Sequence, residues 1–213
     1  VIITADQNQG KGQRGNIWLS EPYKNLTFSL VLKPTFLKAE FQFQLSMLSS
    51  LAVRNFMSAY LSAPVYVKWP NDIICQEKKL CGILIENQIR RDFLDYSIVG
   101  IGMNINQSHF SLPQASSLKL LSGQTYDLES LFQIFLEQFE KAYLQLKTGG
   151  VAELRQAYLE HLFQIGEETE YLDQDGQAFR GSIKGINASG QLLIQTAGGL
   201  IPFNHQEIRY TYG

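Results

Sequence analysis

The segment Gly10-Lys11-Gly12-Gln13-Arg14-Gly15-Asn16 sets three glycines and two cations between two stretches of strand character. Before it, Val1-Ile2-Ile3-Thr4-Ala5 is apolar and β-branched. After it, residues 25–32 (Asn-Leu-Thr-Phe-Ser-Leu-Val-Leu) have strand composition and length. The glycines let the backbone turn and come close to a ligand, and Lys11 and Arg14 bring charge and donors for an anion. The spacing matches Gly-x-Gly-x-x-Gly, but a dinucleotide fold requires a helix to open at the third glycine so that its N-terminus meets the pyrophosphate. Here Gly15 is followed by Asn-Ile-Trp-Leu-Ser-Glu-Pro, with Pro22 and no helical apolar period. No Gly-Lys-Ser/Thr closes the segment, which removes the P-loop as well. The remaining reading is a cationic loop between strands, able to close over a phosphorylated ligand.

Past Pro34, apolar residues Phe41, Leu45, Leu48, Ala52, Phe56 and Tyr60 recur at helical spacing, predicting a helix over 38–61 that stops before Pro64. Strands are predicted at 65–68, 73–75, 80–86 and 95–106, with a polar hairpin turn at 76–79. In the last strand Gly100 and Gly102 share one face, which leaves room for a ligand or another backbone. Residues 107–124 read as loop. A long helix is predicted over 127–147, with Thr125 or Asp127 as N-cap, Gly149 as stop, and a core stripe of Leu131, Ile134, Phe135, Phe139, Ala142 and Leu146. A shorter helix follows at 151–163. Strands and helices mix without strict alternation, so residues 1–165 are expected to be α+β: a mixed, largely antiparallel sheet covered by helices. From Gly166 onward, short strands punctuated by glycine turns predict a second unit at 166–213, a small β-barrel.

A chain of 213 residues accommodates one good-sized domain and a small second one. Its net charge of −2 argues against a general nucleic-acid or acidic-membrane binder. The barrel segment carries Arg180, Lys184 and Arg209 against six carboxylates, so a capping role is expected for it and not RNA or DNA binding. No apolar run reaches the roughly 20 residues that span a bilayer, and no secretory signal is visible at the start. Cys75 and Cys81 are read as reduced thiols of a cytoplasmic protein. His109, His161 and His205 are scattered, without carboxylates or cysteines at ligand spacing, so neither a histidine metal site nor a Ser-His-Asp triad is expected.

Two further features carry chemistry. Lys68-Trp69-Pro70-Asn71-Asp72 gathers a cation, an aromatic face, a rigid turn, an amide and a carboxylate between two strands. Its structural reading is a corner with a buried Trp. Its functional reading is a nucleotide site, with Trp69 or Asn71 on the wall, Lys68 toward phosphate and Asp72 holding Mg²⁺ or orienting a neighbour. Lys79, just ahead of Gly82, is either a solvated turn residue or an ammonium facing a carboxylate in a pocket.

Taken together, Gly-Lys-Gly-Gln-Arg-Gly followed by Trp18, Lys-Trp-Pro-Asn-Asp (68–72), Lys-Leu-Cys-Gly-Ile-Leu (79–84) and Gly-Ile-Gly-Met-Asn-Ile-Asn (100–106) resemble the biotin protein ligases, in that family's order and spacing. The resemblance covers nearly the whole chain. It implies a class II aminoacyl-tRNA-synthetase-like catalytic domain with a C-terminal Src-homology-3-like barrel. It also implies a two-step reaction: biotin and ATP, with Mg²⁺, give biotinyl-5′-AMP and pyrophosphate, and a lysine of a biotin carboxyl carrier domain then takes the biotinyl group. Residues implied as catalytic are Lys79, Lys11 and Arg14. Those implied to bind biotin are Gln7, Gly10, Lys11, Gly12, Gln13, Lys79, Gly82 and Gly100, with Gly102 also easing the strand's approach to the ring. Those implied on the ATP side are Arg14, Gly15, Asn16, Trp18, Lys68, Asn71 and Asn104, with Asp72 as a direct or indirect Mg²⁺ ligand. Members are often homodimers through the sheet.

Lipoate–protein ligases and octanoyltransferases share the fold and the lysine acylation, but they are expected to lack Lys-Trp-Pro-Asn-Asp followed by Lys-Leu-x-Gly. A non-catalytic biotin or nucleotide sensor is disfavoured by the presence of Lys68 and Lys79, and a DNA-binding repressor by the charge balance. A Ser-Thr-Asn segment that contacts the ureido ring in the family, and the winged helix-turn-helix of its repressor members, are not within residues 1–213 and belong upstream of Val1 where a member has them. The loop also departs from the family, since Lys11, Gln13 and Asn16 stand where arginine is common. Gln13 leaves the adenylate with one charge fewer, so Gln13→Arg is expected to slow release of biotinyl-AMP. An unchanged release rate would remove that assignment.

Overall fold

Alternation along a few strands decides which side of the main sheet is oil and which is open to ligand. The computed structural model describes residues 1–12, 15, 17–205 and 207–211. In chain order its elements are β1 (Ile2–Thr4), β2 (Gly10–Lys11), β3 (Ile17–Trp18), β4 (Leu26–Leu32), α1 (Phe43–Ser58), β5 (Val65–Lys68), β6 (Asp72–Cys75), β7 (Lys78–Arg90), β8 (Phe93–Met103), α2 (Leu118–Ser122), α3 (Leu128–Lys147), α4 (Val151–Glu160), β9 (Glu168–Asp173), β10 (Ala178–Ile186), β11 (Leu192–Thr196), β12 (Gly199–Phe203) and β13 (Ile208–Tyr210). The main sheet runs β1-β4-β8-β7-β6-β5, and every pairing in it is antiparallel.

On β4, Leu26, Phe28 and Leu30 are buried against the helices, while Thr27 and Ser29 face the other way. Phe28 meets Phe132 and Phe135 of α3 with ring centroids 5.0 and 5.4 Å apart. On β8 the same alternation buries Val99, Ile101 and Met103 and turns Gly100 and Gly102 to the open face. The helical layer covers one face only. Helix α1 lies on β5, β6 and β7 and is itself covered by α3 and α4. It is therefore buried on nearly all sides, Ser49 and Ser50 included, and not along one stripe.

The helix signals hold in outline and shift at the edges. Asp127 caps α3, its carboxylate accepting the Ser130 N–H at 2.8 Å and thereby being held below the usual carboxylate range. Gly149 follows with φ of 102°. Ile134, expected in the core, is 41% exposed, because it lies off the line joining Leu131, Phe135 and Phe139. The region 38–61 divides into a 3₁₀ turn at Ala39–Phe41 and then α1, and the last helix ends at Glu160. The stretch 107–124 is not all loop: α2 forms there, with Ser117 capping Leu120 N–H at its start and Gly123 in the left-handed region at its end.

The last strands form a second antiparallel sheet, β12-β11-β10-β9-β13, wrapped around Tyr171, Ile183, Leu192, Ile194 and Ile208. Among the contacts that tie it to the rest, Trp69 Nε1–H donates to Gly190 O at 2.9 Å, and Arg155 donates to Ile186 O at 2.6 Å. Gly190 is held closely here, since a Cβ would fall 2.3 Å from the Phe43 ring. Among the described residues no helix is long and apolar enough to cross a membrane.

The end of β8 is locked by a buried amide. Asn25, 5% exposed, donates to Gln107 Oε1 at 2.6 Å and Ser20 Oγ at 3.0 Å, and accepts from Ile105 N–H at 2.9 Å. Asn25→Ala leaves the Ile105 N–H and the Gln107 amide without these partners inside the protein. A loss of about 1–3 kcal/mol is expected in urea unfolding, while Asn55→Ala on the exposed side of α1 should stay within about 0.5 kcal/mol.

Candidate active site

The hairpin turn before Lys79 is tighter than the sequence pattern indicates. Gln76 and Glu77 alone form it, both at positive φ (50° and 59°), and β7 begins at Lys78. Lys79 is therefore a strand residue. Gly82 lies three positions further on, which in a regular strand would put the two on opposite faces. A bulge removes the conflict: Ile73 pairs with Cys81 and Ile74 with Lys79, leaving Leu80 as the extra residue. Leu80 and Cys81 are both buried, and Lys79 and Gly82 both reach the open face. The Lys79 backbone is fixed from the other side as well, its N–H donating to Gln114 O at 2.7 Å and its carbonyl accepting from Ser116 N–H at 3.0 Å.

Lys79 Nζ lies 2.7 Å from Asp72 Oδ1, on the neighbouring strand. Gly82 and Gly102 are directly paired across β7 and β8 and make a floor beside this ion pair. The Trp18 indole rests on that floor. A Cβ on Gly102 would fall 2.4 Å from its ring, and one on Gly82 3.0 Å. Lys79 Nζ stands 5.7 Å from the Trp18 ring centroid, within cation–π range. Trp18 Nε1 is buried and has no hydrogen-bond partner among the described residues. The hairpin that carries Trp18 pairs Gly10 with Trp18 and Lys11 with Ile17, so the start of the glycine-rich segment is one strand of a small two-stranded ribbon. Sequence reading missed this because each strand is only two residues long.

These residues enclose a cleft of about 330 Å³. Of the residues expected there, Gln7, Lys11, Gly12, Trp18, Asn71, Asp72, Lys79, Gly82, Gly100 and Gly102 line it. Gly10 does not; it is buried inside the ribbon, where a Cβ would meet the Trp18 carbonyl. Gly15 is exposed at φ of 89° and borders the cleft nowhere. Gln13, Arg14 and Asn16 lie outside the described residues. Asn104 also stays out of the cleft: it is buried, donates to Ser116 O at 3.0 Å, and braces the chain that runs into α2. Lys68 turns toward the second sheet, its ammonium 5.0 Å from the Tyr210 ring centroid. Burial holds it below the usual lysine range, with Asp72 opposing that shift and Lys79 adding to it. Trp69 is buried against the second sheet, the corner reading of that motif, while Asn71 keeps a cleft position and donates to Ile83 O.

Several cleft residues were not singled out from sequence: Gln9, Thr27, Ser29, Glu86 and His205. Thr27 and Ser29 carried a signal, as polar residues at alternate positions of an otherwise apolar strand. His205 carried none, since it arrives from the second sheet. Among the described residues no three His, Cys, Asp or Glu side chains gather into a metal-binding group. The site sets two lysines, Lys11 and Lys79, among polar groups, with Asp72 engaged by Lys79 and Glu86 further along β7, so it can hold an anion at the Lys79 end.

The model of the biotin/lipoate A/B protein ligase family matches residues 1–104, and that of the biotin protein ligase C terminal domain matches residues 165–208. The chain is 31% identical over 205 residues to the bifunctional ligase/repressor BirA of Bacillus spizizenii, covering 94% of this chain and 62% of that protein. It is 29% identical to the biotin--[acetyl-CoA-carboxylase] ligase of Paracoccus denitrificans, over 93% of this chain and 85% of that one. The solved structure of the Aquifex aeolicus biotin protein ligase in complex with biotin and ATP superposes with a TM-score of 0.80 at 27% identity, covering 99% of this chain and 88% of that one. The chain thus spans 62% of the length of the Bacillus relative and most of the other two.

The floor glycines make different demands on a side chain. Gly102→Ala should lift the Trp18 ring and raise acrylamide quenching of indole fluorescence. Gly100→Ala, whose Cβ would meet nothing nearer than 3.5 Å, should leave quenching unchanged.

Proposed function

We propose, because the chain belongs to the biotin/lipoate A/B protein ligase family, that it is an ATP-dependent biotin protein ligase acting on a lysine of a biotin carboxyl carrier domain. The observation that carries this reading is the Lys79–Asp72 pair at 2.7 Å beside the Gly82–Gly102 floor, facing Lys11 across the cleft. A carboxylate does not acylate an amine at neutral pH without a leaving group. Attack of the biotin carboxylate on the α-phosphate of ATP supplies one, giving biotinyl-AMP and pyrophosphate. That step brings two anions together, and Lys79 and Lys11 are the cleft cations that would neutralise them. Asp72 holds the Lys79 ammonium in place, so its charge is set before the reactants meet. The bicyclic ring would lie against the glycine strands beside the Trp18 indole, Asn71 is on the adenylate side, and the ribbon bearing Lys11 and Trp18 closes over the anhydride and keeps water from it.

Mg²⁺ would enter with the nucleotide and screen its phosphates. The cleft fits that mode, because Asp72 is the carboxylate at the Lys79 end, Glu86 lies four residues beyond Gly82, and magnesium commonly takes its other ligands from phosphates and water. Residues 1–165 would form the catalytic unit and 166–213 the cap. A homodimer through the sheet has the exposed Ile2, Ile3 and Val31 at the β1–β4 edge in its support, and the compartment we assign is the cytoplasm, where buried Cys75 and Cys81 stay as thiols.

ATP–pyrophosphate exchange with biotin, lipoate and octanoate, each as sole carboxylate, tests the assignment. Exchange with biotin alone is expected, with Lys79→Ala lowering it by about 10²–10³-fold. Exchange with lipoate or octanoate instead would reassign the substrate, and none with any of the three would remove adenylation from the chain.

A further inference from the structure

The ligase reaction requires a proton acceptor, because the attacking lysine is an ammonium at neutral pH and has no lone pair to give. Three side chains lining the cleft ordinarily titrate below lysine: Asp72, Glu86 and His205. Asp72 is engaged by Lys79. Glu86 lies on the cleft face of β7 four residues beyond Gly82, roughly 13 Å along the strand. His205 is at the opposite end, with Asn71 and Asp72, where Lys79 stands.

The placement of His205 is built, not incidental. It sits in the turn between β12 and β13, and Glu207 closes that turn by accepting from Asn204 N–H at 2.6 Å and Asn204 Nδ2 at 2.9 Å. Gln191 ties the turn to the strand beside it by donating to Asn204 Oδ1 at 3.1 Å. The imidazole lies against the Trp69 ring, centroids 5.9 Å apart, and Trp69 is itself held by Gly190. His205 also lines a second cleft between the two sheets, together with Ser46, Trp69 and Glu207. It therefore borders both clefts and is partly exposed, so a protein-borne lysine entering between the two sheets would pass it.

We propose that His205 is the general base of biotin transfer, a role that rests on the ligase reading above. An imidazole nitrogen takes a proton from the acceptor ammonium and passes it to solvent. The freed nitrogen lone pair attacks the carbonyl carbon of biotinyl-AMP, the C–N bond forms, the bond from that carbon to the phosphate oxygen breaks, and AMP leaves with the second amine proton. The charged groups that share a cleft with the imidazole are Asp72 from β6, Lys79 and Glu86 from β7, Lys11 from β2 and Glu207 from its own turn, with Lys68 at the Tyr210 ring beyond the Trp69 corner.

The test separates the two half-reactions. Single-turnover transfer from preformed biotinyl-AMP to a biotin carboxyl carrier domain is followed from pH 5.5 to 9, and pyrophosphate exchange is measured on the same preparations. The wild-type transfer rate is expected to rise with pH as the base loses its proton, and then to level off. In His205→Gln transfer should fall by about 10²–10⁴-fold, lose that limb and climb on toward the lysine range, with exchange reduced far less. His205→Ala should regain transfer with added imidazole. Parallel loss of exchange and transfer, or an unchanged transfer profile, overturns the proposal. Failure of the wild type to exchange with biotin instead sinks the ligase reading beneath it.

Discussion

The bulge that makes Leu80 an extra residue in β7 is the constraint on which the site depends. A strand alternates strictly, so Lys79 and Gly82 cannot share a face unless the period is broken between them. With the break, the ammonium reaches Asp72 on β6 while Gly82 stays opposite Gly102 on β8. The break is stabilised from both sides. Leu80 and Cys81 enter the core, and the chain at 114–116 bonds the Lys79 backbone. The Lys79 charge and the glycine floor are thus placed by one local irregularity whose cost the core offsets.

The sheet supports this division of labour because its two faces have different chemistry. Phenylalanines and aliphatics on β4 and β8 lock one face to α1 and α3, and small or polar residues leave the other face accessible. The second sheet then closes the accessible face from the side. It does so through specific groups, the Trp69 indole on Gly190 and Arg155 on Ile186, with Lys68 over Tyr210 nearby. The Lys-Trp-Pro-Asn-Asp motif therefore serves two masters: its first two residues hold the second sheet, and its last two face the substrate cleft.

Much was legible in the residues themselves. Helical spacing located α1, α3 and α4, glycine turns marked the second sheet, and the capping carboxylate of Asp127 was readable from its place before an apolar period. Most of the cleft was legible too, because Lys79, Asp72, Gly82 and Gly102 fall in short motifs whose spacing is unusual. Misplaced were the residues whose role depends on rotation about a strand or on distant packing. Asn104 was expected at the nucleotide but braces α2's approach, and Lys68 was expected at phosphate but leans on the second sheet.

The sequence alone determined which groups are available: lysines, carboxylates and glycines to let a ring come close, in a chain whose strands cannot form a dinucleotide fold. The tertiary structure decided which of them meet. Strand register and a bulge set Lys79 against Asp72. Packing of the second sheet carried His205, 133 positions further along the chain, to the same cleft. Local propensity and spacing act over a few residues, while register and domain packing are settled by burial across the whole core, and only the former can be read along a line of letters.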